Sequence, residues 1–230
     1  FRDWLVEGKT PILGDGAMGT MLNANGVDFK ECFDAVNLEN PSLVAQIHRE
    51  YIAAGAKVIQ TNTFGANRYK LSAYGLQELL IAINQAGVRI AREVISELGN
   101  QEILVAGDVG PLGVRIAPYG RIKPSQARQV FSEQISILVE AGVDLLILET
   151  FSDLAELLEA VAAARQVCNL PLVASMSFTR DDRTVLGETP AQVAQALWDA
   201  GVDVIGVNCS AGPAQVYRIV GQMKEVVPQA

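Results

Sequence analysis

One short joint recurs three times in the chain and constrains its fold more than any other feature: Ala54-Gly55-Ala56-Lys57-Val58-Ile59, Ala141-Gly142-Val143-Asp144-Leu145-Leu146 and Ala200-Gly201-Val202-Asp203-Val204-Ile205. In each, a glycine ends a helix in the left-handed conformation that side chains resist, and an apolar strand follows almost at once. A chain that passes repeatedly from helix to strand in this way builds parallel strands covered by helices. Six apolar runs are expected as strands: Ile12–Ala17, Lys57–Phe64, Ile103–Pro111, Leu145–Phe151, Leu170–Phe178 and Val202–Ser210. Helical patterns lie between most of them, over Ser42–Ala54, Gln77–Leu98, Ser125–Ala141, Asp153–Val167 and Ala191–Ala200. Asn40-Pro41 and Thr189-Pro190 each set a capping side chain before a proline at the first helical position. No linker or low-complexity tract breaks the rhythm, so residues 1–230 are expected to form one domain.

Such a repeat suits an open doubly wound sheet or a closed barrel. Polar residues stand at the carboxyl end of every run: Asp15, Thr61-Asn62-Thr63, Asp108, Glu149, Ser175 with Ser177, and Asn208-Cys209. An open sheet concentrates such groups at one switch point, whereas a barrel gathers them from all its strands into one mouth. The expected class is therefore α/β, a parallel (β/α)8 TIM-type barrel. Ala230 falls where a seventh strand should begin, so the barrel is expected to be truncated after about six βα units. A first residue of Phe1 rather than Met likewise suggests a trimmed or partial polypeptide.

Half of the 230 residues are hydrophobic and 19% are charged, enough apolar material for the core of one such domain. The net charge is −8 and no Lys/Arg cluster appears, which argues against a nucleic-acid groove or an anionic membrane surface. No apolar run reaches the ~18 residues of a spanning helix, and no signal peptide opens the chain. Three scattered cysteines do not make a disulfide framework, so the cytoplasm is the expected location.

Four features could carry chemistry. Gly14-Asp15-Gly16-Ala17-Met18-Gly19 matches the dinucleotide pattern G-x-G-x-x-G, but Asn23, Asn25 and Gly26 break any helix after two turns and the next strand starts only at Lys57. A glycine-rich turn whose exposed N–H groups hold a carboxylate explains the same residues, as does a plain tight turn capped by Asp15. Glu149 ends the uncharged run Leu145-Leu146-Ile147-Leu148, where a carboxylate either meets a cation, such as an amino group, or bonds a neighbouring strand end. Cys209 ends the sixth run and can be a nucleophile, a metal ligand or an inert small residue; Cys32 and Cys168 lack this placement and read as structural. His48, the only histidine, sits mid-helix, so neither a Ser–His–Asp triad nor a complete zinc site can be assembled from this chain alone.

Five stretches, taken in order, are similar to one family. Gly14-Asp15-Gly16-Ala17-Met18-Gly19-Thr20, Gln60-Thr61-Asn62-Thr63-Phe64-Gly65-Ala66-Asn67, Gly107-Asp108-Val109-Gly110-Pro111, Leu148-Glu149-Thr150-Phe151 and Gly206-Val207-Asn208-Cys209-Ser210 resemble the homocysteine S-methyltransferase domain. The similarity runs from Trp4 to the last residue. Glu31-Cys32-Phe33-Asp34 and Asn67-Arg68-Tyr69-Lys70-Leu71 look most like bacterial proteins that fuse this domain to a methylenetetrahydrofolate reductase; the first module of cobalamin-dependent methionine synthase is similar too. The resemblance implies a homocysteine site formed by Asp15, Gly16, Ala17 and Glu149, and a Zn2+ held by Cys209 with an adjacent cysteine pair expected beyond residue 230. Zinc would convert a thiol with a pKa near about 8.5 into a nucleophilic thiolate. Glu149 and Asp15 would hold the substrate ammonium and the turn amides its carboxylate. The methyl donor stays open among methylcobalamin or methylfolate on another module, S-methylmethionine and betaine. No catalytic side chain is assigned. Two other functions compete: a truncated, non-catalytic barrel that binds an amino acid weakly, and a nucleotide-binding oxidoreductase favoured only by the glycine pattern.

Overall fold

All three joint glycines adopt positive φ in the computed structural model, 108° at Gly55, 94° at Gly142 and 76° at Gly201. The structure describes residues 1–8, 11–99, 102–210 and 212–228. Strands β1 (Val58–Gln60), β3 (Leu145–Phe151) and β5 (Val204–Val207) follow the three joints, with β2 (Leu104–Val109) and β4 (Leu172–Met176) between them. The five form a parallel sheet in chain order. A doubly wound sheet reverses its order at a switch point, whereas a barrel of βα units does not. The α/β class and the barrel-type winding are therefore as expected. The expected seventh strand at Ala230 lies outside the described residues.

The repeat in sequence is also a repeat in hydrogen bonding. Asp144 Oδ2 accepts the Val105 backbone N–H at 2.7 Å, and Asp203 Oδ2 accepts that of Leu172 at 2.9 Å. Arg92 pairs with Asp144 at 2.8 Å and Arg165 with Asp203 at 2.7 Å. Each arginine also donates from Nε to its joint glycine carbonyl, Gly142 at 3.0 Å and Gly201 at 3.1 Å. The first joint swaps the charges, with Lys57 in the aspartate position paired to Glu102 at 3.4 Å.

The chain divides into two compact units, Phe1–Val109 with Glu133–Leu145, and Gly110–Ser132 with Leu146–Ala230. In the first, β1 and β2 pair with Val58 opposite Leu104 and Gln60 opposite Ala106. The run Ile12–Ala17 is not a full strand: Gly14 alone bridges Val58, flanked by Lys57 N–H to Leu13 O at 2.8 Å and Asp15 N–H to Val58 O at 2.9 Å. Pro11 offers no N–H, and two glycines weaken the extended run, which shortens the ladder to these bonds. In the second unit β4 lies between β3 and β5, with Leu146 opposite Leu172 and Val173 opposite Val204.

The helices fall close to the expected bounds: Pro41–Ala53, Leu80–Leu98 with a 3-10 turn over Gln77–Leu79, Pro124–Ala141, Leu154–Val167 and Pro190–Asp199. Asn40 and Asp153 cap through side-chain oxygens, and Thr189 forms a capping box with Gln192. The glycine turn leads into a two-turn helix, Met18–Ala24, that ends where Asn25 and Gly26 stop it. No helix among the described residues is long and apolar enough to cross a membrane.

Two buried titratable groups of the first unit oppose one another in their pH dependence. His48 is 0% exposed, and neither ring nitrogen has a partner among the described residues; burial pushes its pKa down to about 4. The unfolded chain protonates this histidine first, so its effect is a loss of stability as pH falls from 6.5 towards about 4, worth about 3 kcal/mol. Burial raises Asp34 to about 6, against the opposing pull of the Gly65 N–H at 2.8 Å and the Lys70 charge. The folded state protonates this aspartate first, so it adds about 3 kcal/mol as pH falls from about 6 through 3.8. The two nearly cancel. Asp34→Asn should therefore lose more stability than wild type between pH 7 and 4.5, and His48→Leu should lose less, as read from urea unfolding at each pH. Parallel stability–pH curves for all three proteins would contradict the assignment.

Candidate active site at the strand tips

In the second unit the carboxyl ends of β3, β4 and β5 are tied together by one residue with no role assigned from sequence, Asn208, through its side chain to β3 and its backbone to β4. Its Nδ2 donates to Glu149 Oε2 at 2.7 Å and to Thr150 Oγ1 at 2.8 Å, while its Oδ1 accepts the Thr150 backbone N–H at 3.0 Å. Its own N–H reaches Met176 O at 3.3 Å, and its carbonyl accepts from Ser177 Oγ at 2.9 Å and Ser210 Oγ at 3.1 Å. Ser210 Oγ in turn accepts the Phe178 N–H at 2.8 Å.

Glu149 and Thr150 occupy an irregularity in β3, where the register with β4 shifts between Leu148 and Phe151. Thr150 has φ 63°, a left-handed conformation that costs a β-branched residue roughly 1–3 kcal/mol. Bulges of this kind re-aim side chains beside functional sites. Here the shift leaves Phe151 fully buried, its ring 5.8 Å from that of Phe131, while Glu149 stays half-buried at the tip. Burial raises the Glu149 carboxyl above its ordinary value and the Asn208 hydrogen bond pulls it part of the way back. Among the described residues no bond is formed to Oε1, so the bland alternative, a carboxylate consumed by a neighbouring strand end, holds for one oxygen only.

Cys209 follows with φ 45° and an exposed thiol whose sulfur lies 3.7 Å from Asn208 Nδ2. Cys168 is half-buried at the end of the Leu154–Val167 helix, before β4 begins, and so at the other end of the strands from Cys209. Cys32 is buried in the first unit beside Asp34, Sγ to Oδ2 3.9 Å. A structural zinc takes four ligands and a catalytic one at least three from the protein. Among the described residues no group of three His, Cys, Asp or Glu is placed to hold a metal. Cys209 offers one thiolate, and the described residues alone do not make a zinc centre.

In the first unit the Asp15-Gly16-Ala17 turn is fixed to the tip of β1. Asp15 Oδ2 accepts the Gln60 backbone N–H at 2.7 Å and Oδ1 accepts Gln60 Nε2 at 3.1 Å. Tyr51 lies over Gly16, where an added Cβ would stand 2.9 Å from the ring, and its hydroxyl donates to Ala17 O at 3.3 Å. Thr61, Asn62 and Thr63 serve the fold. Thr63 Oγ1 donates to Asp108 O at 2.7 Å, and Asn62 Nδ2 donates to Phe33 O at 2.7 Å and to Asn37 Oδ1 at 3.1 Å. His48 is buried in its helix and faces no ligand set. Asn208, Gln60 and Tyr51 were not singled out from sequence. Only Asn208 carried a local signal, its place beside Cys209 at a strand end.

The model of the homocysteine S-methyltransferase family matches residues 12–229. Methionine synthase of Mycobacterium tuberculosis is 33% identical over 224 residues, 92% of this chain and 19% of that protein. Betaine–homocysteine S-methyltransferase 1 of Danio rerio is 32% identical over 95% of this chain and 54% of its own length. The chain thus spans about a fifth of the methionine synthase and about half of the betaine enzyme. The metallated form of the homocysteine methyltransferase MmuM from Escherichia coli superposes with TM-score 0.82 at 26% identity, over 96% of this chain and 82% of that one.

The exposures order the three thiols. In metal-free native protein, Cys209 should react first with a disulfide reagent, Cys168 more slowly, and Cys32 only on unfolding, since burial raises its pKa. Peptide mass spectrometry should find the label on Cys209 before Cys168 and Cys32; Cys168 or Cys32 labelled ahead of Cys209 would contradict the exposed placement.

Proposed function

The chain belongs to the homocysteine S-methyltransferase family, and from that premise we propose that it forms the homocysteine-binding part of an enzyme that transfers a methyl group to the homocysteine thiol, giving methionine. One observation supports the reading most: Asn208 touches both a half-buried carboxylate, Glu149, and an exposed thiol, Cys209, at one end of the second unit. Homocysteine carries an ammonium and a thiol a few bonds apart, and it needs an anionic partner for the first. Glu149 supplies one through a charge-assisted hydrogen bond. Asp15, Gly16 and Ala17 are proposed as homocysteine-binding residues of the first unit, the turn amides suited to a carboxylate. Their support is the resemblance and the rigidity that Gln60 and Tyr51 give the turn.

In the transfer the homocysteine sulfur, as thiolate, attacks the methyl carbon. The S–C bond forms as the bond from carbon to donor breaks, the electron pair stays with the donor, and the thiol proton is released to solvent. Cys209 is proposed as the single zinc ligand of this chain. The described residues supply no second or third ligand beside it, and no step of the transfer is assigned to the metal. Relatives named for methionine synthesis and for betaine match at nearly equal identity, 33% and 32%, so the identity does not name the donor. A cobalamin- or folate-borne methyl group on another module, a fused reductase among them, accords with the share of the methionine synthase that the chain spans. A second reading, that these 230 residues alone bind homocysteine weakly and do not transfer a methyl group, is favoured by the absence of a metal-holding group among the described residues.

In the full-length protein, Glu149→Gln should weaken homocysteine binding roughly ten- to a hundred-fold, the loss of a charge-assisted hydrogen bond worth about 1.5–3 kcal/mol. Metal content should stay unchanged, while Cys209→Ser should lower it. Calorimetry that finds unaltered homocysteine affinity in Glu149→Gln would refute the role given to that carboxylate.

A further inference from the structure

We propose that Asn208 is a positioning residue that selects for an amino-bearing substrate, by fixing the Glu149 carboxylate through one oxygen while leaving its charge uncompensated. The inference rests on the reading of Glu149 as the partner of the substrate ammonium.

The amide has only one workable orientation. Thr150 N–H can only donate, so it must face Oδ1 at 3.0 Å; the carboxylate accepts, so it must face Nδ2 at 2.7 Å. Nδ2 carries two hydrogens, and the second goes to Thr150 Oγ1 at 2.8 Å. A single neutral side chain thereby donates to Glu149 and braces both polar groups of the residue after it, the one held at φ 63°. No other short side chain can do this. Aspartate lacks the donors and would add a like charge, serine has one hydroxyl for three partners, and lysine or arginine would neutralise the carboxylate that must meet an ammonium.

Asn208 is itself held in place. Its backbone is tied to β4 through Met176 O at 3.3 Å and Ser177 Oγ at 2.9 Å. The Glu149 Oε2 position is therefore referred to two neighbouring strands and not to the bulged end of β3 alone. With Oε2 fixed, Oε1 is held at one place at the tip, and no bond to it is made among the described residues. A charged acceptor held at a fixed place binds better than one that must be ordered on binding, because less conformational freedom is lost.

The test compares homocysteine with 4-mercaptobutanoate, the same molecule without its amino group, by calorimetry on the full-length protein. The variants are Asn208→Ala, Asn208→Ser, Glu149→Gln and the double variant Asn208→Ala/Glu149→Gln. Asn208→Ala and Asn208→Ser should each weaken homocysteine at least tenfold and 4-mercaptobutanoate less than twofold. In the Glu149→Gln background, Asn208→Ala should add less than a twofold further loss, because both substitutions remove the same interaction. Equal losses for the two ligands would make Asn208 merely structural and overturn the proposal, as would losses that multiply in the double variant or unchanged homocysteine binding in both Asn208 variants. If Glu149→Gln alone leaves homocysteine binding intact, the reading of Glu149 fails and the inference falls with it. Loss in Glu149→Gln with none in the Asn208 variants sinks only the inference.

Discussion

A carboxylate at the end of an otherwise apolar strand is the constraint on which the candidate site depends. Glu149 follows four aliphatic residues, and a charge in such a place is costly unless it is bonded. The surroundings answer in three connected ways. The register of β3 shifts so that Phe151 enters the core while Glu149 stays at the tip; Thr150 takes a left-handed conformation to allow it; and Asn208 binds both. Remove the asparagine and the strained threonine loses partners for its N–H and its hydroxyl, while the carboxylate loses its donor. Local strain and a half-buried charge persist only where neighbouring structure holds them, and here the holder is one amide.

The opposite ends of the strands show a different logic. There Asp144 and Asp203 accept backbone N–H groups from neighbouring strands and pair with Arg92 and Arg165. These charges are matched by opposite charges within the same unit. In barrels of βα units, charge that is matched within the fold reads as stability, whereas charge left with an open valence at the carboxyl ends reads as function. Glu149 and Asp203, both acidic residues beside strand termini, fall on opposite sides of that division for this reason.

The sequence showed the winding of the fold through features that act over a few residues. The joint glycines, the proline-flanked caps and the full extent of β3 were all legible because each depends on local backbone chemistry. The first run was misjudged as a strand for an equally local reason, since Pro11, Gly14 and Gly16 leave too few paired groups for a ladder. Long-range pairing was not legible. Thr61-Asn62-Thr63 looked like mouth residues but spend their hydrogen bonds on Phe33, Asn37 and Asp108. Asn208 stood out only as a polar residue at a strand end beside Cys209, because its partner Glu149 stands 59 residues away. Gln60 and Tyr51 acquire their significance only when β1 is seen beside the Asp15 turn.

The most direct test of the central claim is an experimental structure of the full-length protein with homocysteine bound. The account predicts the substrate ammonium within hydrogen-bonding distance of Glu149 Oε1, the substrate sulfur on the Cys209 side of the tip, and Asn208 Nδ2 still bonded to Oε2. An ammonium bonded elsewhere, with Glu149 turned away or both of its oxygens taken by protein groups, would contradict it.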